Sequence, residues 1–113
     1  MDDLTQRLSE GSHRVCVGGP HATLEELRRR VEEIGYAFVK FTGTTGGTDL
    51  GVRLDRAATD VSTADFAAGT GSVHLEGTLV LNDDPVRCVA DIDLATLDGT
   101  GHLVPISEAE LVS

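Results

Sequence analysis

The chain has 113 residues, 40% of them hydrophobic, with a formal net charge of −10 and a pI near 4.6. A length in this range fits one domain that buries roughly two thirds of its unfolded surface, so a core can form without staples. No apolar run reaches the roughly 20 residues that span a bilayer, and the acidic balance repels phosphate backbones and anionic lipid, which excludes nucleic-acid and membrane partners from the expected set.

In chain order, residues 3–9 are predicted to form a short helix, with Asp2 as its cap, Leu4 and Leu8 on one face and Gly11 as its stop. The acidic start MDDLTQRLSEG lacks the basic beginning and apolar centre of a secretory signal, so a cytoplasmic location is expected. Cys16 and Cys88 are accordingly read as reduced, small core residues. HRVCV, residues 13–17, reads as a strand, and GGP breaks it.

The spacing then predicts a helix over 24–34. Thr23 and Glu26 form a capping box, Leu24, Leu27, Val31 and Ile34 make one apolar stripe, and Gly35 can adopt the left-handed stop. Arg28, Arg29 and Arg30 are interleaved with Glu25, Glu26, Glu32 and Glu33 at helical spacing, which reads as a salt-bridged solvent face.

YAFVKF, 36–41, and LGVRLD, 50–55, are predicted strands joined at Gly46-Gly47, a register that sets Phe41 opposite Val52 and Val39 opposite Leu54. Residues 56–72 read as a crossover or lid, with one helical turn capped by Ser62 and anchored by Phe66. Strands 73–81 and 86–94 both alternate apolar and polar residues. A four-residue NDDP loop between them makes Leu81 and Val86 the closing pair, and sets His74 opposite Asp93 and Glu76 opposite Asp91. Asp98-Gly99 is a hairpin-turn signal that folds 102–106 back, with Pro105 marking an edge strand. Ser107 and Glu110 repeat the capping-box pattern.

Together these elements predict a single α+β domain over 1–113: one long amphipathic helix, about residues 24–34, packed on a curved antiparallel sheet of about five to six strands. Cystatin-like and hot-dog folds share this rough order of elements, a likeness of layout alone.

Candidate chemistry centres on His74, Glu76, Asp91 and Asp93, which the predicted hairpin collects on one surface. A histidine beside a carboxylate can act as a general acid or base, and like-charged Glu76 and Asp91 side by side need screening. Val80, Val89, Val104 and Ile106 share that surface, so it reads as a cavity wall or an interface as readily as a solvent face. His13, Cys16 and His21 are metal-ligand residue types, but strand alternation points the first two to opposite faces, so no metal is expected. The loop TGTTGGT joins strands and opens no helix, so no phosphate cofactor is expected either.

These features favour a small acidic non-enzymatic accessory or binding protein that recognises a partner protein or a small apolar ligand. The alternative is a cofactor-independent enzyme of isomerase, cyclase or thioester-handling type, with His74 as base, Asp93 orienting it, and 56–72 closing over substrate. A third reading is a homodimer formed through the Val104/Ile106 edge.

Overall fold

Six segments that alternate inward apolar and outward polar residues form strands: β1 (His13–Val17), β2 (Tyr36–Phe41), β3 (Thr48–Leu54), β4 (Ser72–Leu81), β5 (Asp84–Asp93) and β6 (Asp98–Pro105). They are seen in a computed structural model that describes residues 2–111. Every neighbouring pair is antiparallel, and β1 pairs with both β2 and β6, so the sheet closes into a six-stranded barrel. The inward side chains fill it: Val15, Val39, Phe41, Val52, Leu75, Ile92 and Leu103 are fully buried. Removing each from water contributes about 1.5–3 kcal/mol. Helix α1 (Asp3–Leu8) is capped by the Asp2 carboxylate and adds Leu8 to the core.

The expected fold, a long helix across an open curved sheet, is overturned. Residues 24–34 are helical, but α2 (Leu24–Arg29) is six residues long and gives way to a five-residue π-helical turn, Arg30–Ile34. Leu27 and Val31 are buried while Ile34 is 44% exposed, so the apolar stripe is too short to serve as a second layer. The reason is closure. The inner face of each strand is covered by the opposite wall of the barrel, which leaves no open sheet face for a helix to cover. The likeness to cystatin-like and hot-dog layouts falls with it. Locally the reading holds: Thr23 Oγ1 accepts from the Glu26 N–H, Gly35 adopts the left-handed conformation, and Arg28, Arg29 and Arg30 pair with Glu32 and Glu26.

Three registers also differ from expectation. The β4–β5 turn is two residues, Asn82 and Asp83, both at positive φ, so Leu81 pairs with Asp84 and not with Val86. That brings His74 opposite Asp91 and Glu76 opposite Val89. In the β2–β3 hairpin, Phe41 pairs with Thr48 and Val39 with Leu50, so the Gly-rich stretch forms a wider loop. Asp98 and Gly99 belong to β6 rather than to a turn: Asp93 pairs with Asp98, and Val104 lies opposite Arg87. Strand β6 is therefore bonded on both sides over 98–101, where β1 closes the barrel, and on one side only over 102–105.

The connection after β3 contains turns and no helix. Asp60, not Ser62, organises it: its carboxylate accepts from the Ser62 N–H, and its backbone exchanges two 2.9 Å hydrogen bonds with His74. Asp55 N–H donates to the Glu76 carbonyl, and Thr63 Oγ1 to that of Ser72. The segment thus runs beside the half of β4 that β3 does not reach, and Phe66 packs against the core as expected.

Where β3 and β4 do meet, the approach is very close. A Cβ on Gly77 would lie 2.2 Å from the Arg53 carbonyl oxygen and 2.7 Å from Val52 Cγ1. Backbone cannot yield as a flexible side chain can. Gly77→Ala is expected to destabilise the protein by about 1–3 kcal/mol, the usual cost of overpacking, as read by urea unfolding.

Candidate functional site

The outward positions of β4 and β5 carry a continuous polar network. His74 Nδ1 lies 2.7 Å from Asp91 Oδ1, and His74 Nε2 lies 2.6 Å from Glu76 Oε2. Glu76 Oε1 accepts from Arg87 Nε at 2.9 Å, and Arg87 Nη2 donates to Asp55 Oδ2 at 2.8 Å. The chain Asp91–His74–Glu76–Arg87–Asp55 therefore ties β5, β4 and the segment after β3 together across the outside of the barrel. Of the four residues singled out in the sequence, three meet. Asp93 does not join them: it pairs with Ser72 and Asp98 and its carboxylate accepts from the Ala95 N–H. Arg87 and Asp55 were missed. Their signal was charge complementarity, because two outward carboxylates beside a histidine call for a cation nearby.

The chemistry of the network follows from its acceptors. A carboxylate only accepts, so a ring with both nitrogens against carboxylates satisfies both contacts only when both nitrogens carry protons, and the site favours the imidazolium form of His74. The Glu76 hydrogen bond is the largest influence and raises its pKa above the ordinary histidine value; desolvation opposes it next, and Asp91 adds a further rise. Glu76 is held below the usual carboxylate range by His74 first and Arg87 next, and Asp55 by Arg87. The network is partly open to water, with the His74 side chain 30% and the Asp91 side chain 62% exposed. Elsewhere, burial pushes the Cys88 thiol up to about 12, which keeps it protonated and unreactive. Cys16 is half-buried on the outer face and not in the core.

A second feature lies along the same face. Strands β3 and β4 pair only at Arg53–Thr78 and Leu54–Gly77, then diverge. Among the described residues, 48–52 and 79–81 therefore each have a strand partner on one side only. The open seam is a cleft of about 480 Å³ lined by Tyr36, Gly51, Arg53, Val80 and Leu111. Val80 is 53% and Tyr36 39% exposed. Tyr36 reaches across the β3 backbone at Gly51, where a Cβ would meet its hydroxyl oxygen at 1.9 Å, and it packs edge-on against Phe38 at 5.5 Å. An exposed strand edge beside exposed apolar side chains is the arrangement by which proteins take up a partner.

The polar network carries a pH signature. Because the folded pKa of His74 is raised, its contribution to stability is complete below the unfolded value of about 6.5. That contribution is lost as pH rises through the folded value. The thermal stability gap between the wild type and His74→Gln is therefore expected to be wider at mildly acidic pH than at alkaline pH. Melting curves across that range check it, and a gap that widens with rising pH contradicts it.

No helix among the described residues is long and apolar enough to cross a membrane. Among curated proteins, no relative matches the chain. The family described as core binding factor beta subunit matches residues 1–111. A barrel of this kind, with an open seam on its wall, suits an accessory chain that works by binding another protein, and the chain belongs to the core binding factor beta subunit family.

Proposed function

We propose that this chain is a non-enzymatic subunit that docks a second, non-identical protein along the β3–β4 seam, in a cytoplasmic setting. The observation that carries this reading is the seam: two strand edges with free hydrogen-bonding capacity, flanked by the exposed Val80 and Tyr36. A partner strand or loop laid there gains backbone hydrogen bonds from the edges and apolar burial from the flanks. The family description, a beta subunit of a binding factor, fits a chain whose partner is a different subunit. The net charge of −10 favours protein over nucleic acid as what this chain itself touches.

The other readings draw less support. For the acid–base enzyme, His74, Glu76 and Asp91 do meet, but both ring nitrogens are occupied and the supposed orienting residue, Asp93, bonds elsewhere. For a small apolar ligand, the barrel interior is already filled by side chains such as Phe41, Leu75 and Leu103. A homodimer through Val104 and Ile106 has in its favour the half of β6 that is bonded on one side only.

The test begins with the protein purified from its native source together with what it binds, the partner then being identified by mass spectrometry and prepared pure. In that defined pair, Val80→Asp is expected to weaken binding about tenfold or more, the effect of losing an apolar anchor at an interface centre. Its melting temperature should stay close to that of the wild type, because Val80 faces outward. Wild-type affinity in the folded variant would remove the seam from the interface. Sedimentation of the isolated chain at high concentration separates out the homodimer, which requires a concentration-dependent mass.

A further inference from the structure

Adjoining the seam, and sharing Arg53, Thr78 and Leu111 with it, is a second cleft of about 400 Å³. Its walls carry Arg53, Arg56 and Arg87, with Asp55 and Glu110. The chain has nine Lys and Arg against nineteen Asp and Glu, so three cations at one cleft run against the overall charge. Arg87 is engaged by Glu76 and Asp55. Among the described residues, Arg53 and Arg56 have neither an ion pair nor a side-chain hydrogen bond, and both are exposed. Two forked guanidinium groups with free donors beside an apolar seam match a segment that brings a carboxylate and an apolar side chain together.

The chain places such a segment there itself. Helix α3 (Glu108–Leu111) is four residues long, none of them buried, and it packs against β5. Its Glu110 and Leu111 both line the arginine cleft, and Leu111 also reaches the seam. Ser107 and Glu110 cap it reciprocally: the Ser107 N–H donates to the Glu110 carboxylate at 3.0 Å, and the Glu110 N–H donates to Ser107 Oγ at 3.3 Å. A helix this short does not persist in water by its own hydrogen bonds, since about 12 residues are needed for that. Its place is set by what it rests on, and with no buried residue it costs little to lift away.

We infer that the cleft formed by Arg53, Arg56 and Arg87 recognises a short acidic–apolar turn of a partner protein, and that α3, which lies along the cleft while leaving Arg53 and Arg56 unpaired among the described residues, is a loosely held stand-in for that turn, displaced when the partner docks. This rests on the seam being a protein-docking surface and adds the chemistry of what docks. The partner supplies a Glu or Asp one or two residues from a Leu-sized side chain. Its carboxylate takes the free donors of Arg53 and Arg56, and its apolar residue takes the position of Leu111 against the seam.

The test uses a fluorescein-labelled peptide with the sequence of residues 106–111, followed by anisotropy. It is titrated into the full chain and into a full chain carrying Glu110→Gln and Leu111→Ala, which weakens the internal occupant without shortening the protein. The doubly substituted chain is expected to bind the peptide about tenfold more tightly than the wild type. Adding Arg53→Ala or Arg56→Ala should take most of that gain away, and a peptide with Gln at both glutamate positions should bind poorly. The inference is overturned by equal binding to the two chains, by binding that is indifferent to both arginines, or by a random DNA duplex displacing the peptide as well as unlabelled peptide does. Failure here while Val80→Asp still disrupts the natural complex overturns the arginine-cleft assignment alone; peptide binding as expected while Val80→Asp leaves that complex intact overturns the seam alone.

Discussion

The antiparallel ladder between β1 and β6 is the constraint on which the rest of this structure depends. It joins residues 13–16 to residues 98–101, at nearly opposite ends of the chain, and turns an open sheet into a barrel. Closure gives every strand an inside and an outside. The inside is one apolar cluster to which α1 and α2 each contribute a leucine, Leu8 and Leu27. The outside is left to carry function. Because closure also covers most strand edges, the few that stay open are informative.

Two consequences shape the outer wall. Strand β4 is ten residues long, whereas β3 reaches it at only two positions, so β4 has spare edge on both sides of the contact. On one side the spare edge is taken up by the segment around Asp60, and the polar network from Asp91 to Asp55 clasps that segment to the barrel. On the other side, at residues 79–81, no strand among the described residues takes it up, and the apolar side chains Val80 and Tyr36 gather there. The charge network and the open seam thus have a common origin in the limited pairing of β3 with β4. Only one of them is left in need of a partner.

Much of this was legible in the sequence at the level of faces and little of it at the level of partners. Alternation assigns a residue to the inside or the outside, and the strands, the Thr23 N-cap, the capping box at Ser107 and the salt-bridged face of α2 were found from local pattern, although Glu26 pairs with Arg29 and Arg30 instead of completing a box at Thr23. His74, Glu76 and Asp91 were rightly gathered on one surface, because a register error of an even number of residues preserves the face while changing the neighbour. The neighbours came out wrong for local reasons. Asn82-Asp83 is a tight turn in which both residues are left-handed, a conformation that the following Asp84 and Pro85 masked by reading as loop. The β5–β6 connection places Leu97 at a φ of 60°, which no turn propensity anticipates, and this moved Asp98-Gly99 out of the turn and into a strand. Closure itself was not legible, since nothing in HRVCV indicates a partner more than eighty residues away.

The barrel is closed by β1 and β6 and left open at one seam of its wall. Native-state amide hydrogen exchange on the isolated chain tests this arrangement most directly, because exchange reports which strand edges are truly paired. Bonded amides of residues 13–16 and 98–101 should exchange as slowly as those of the β4–β5 hairpin. Amides of residues 48–52 and 79–81 that point into the seam should exchange quickly. Fast exchange along β1 and β6, or a seam protected like the core, would contradict it.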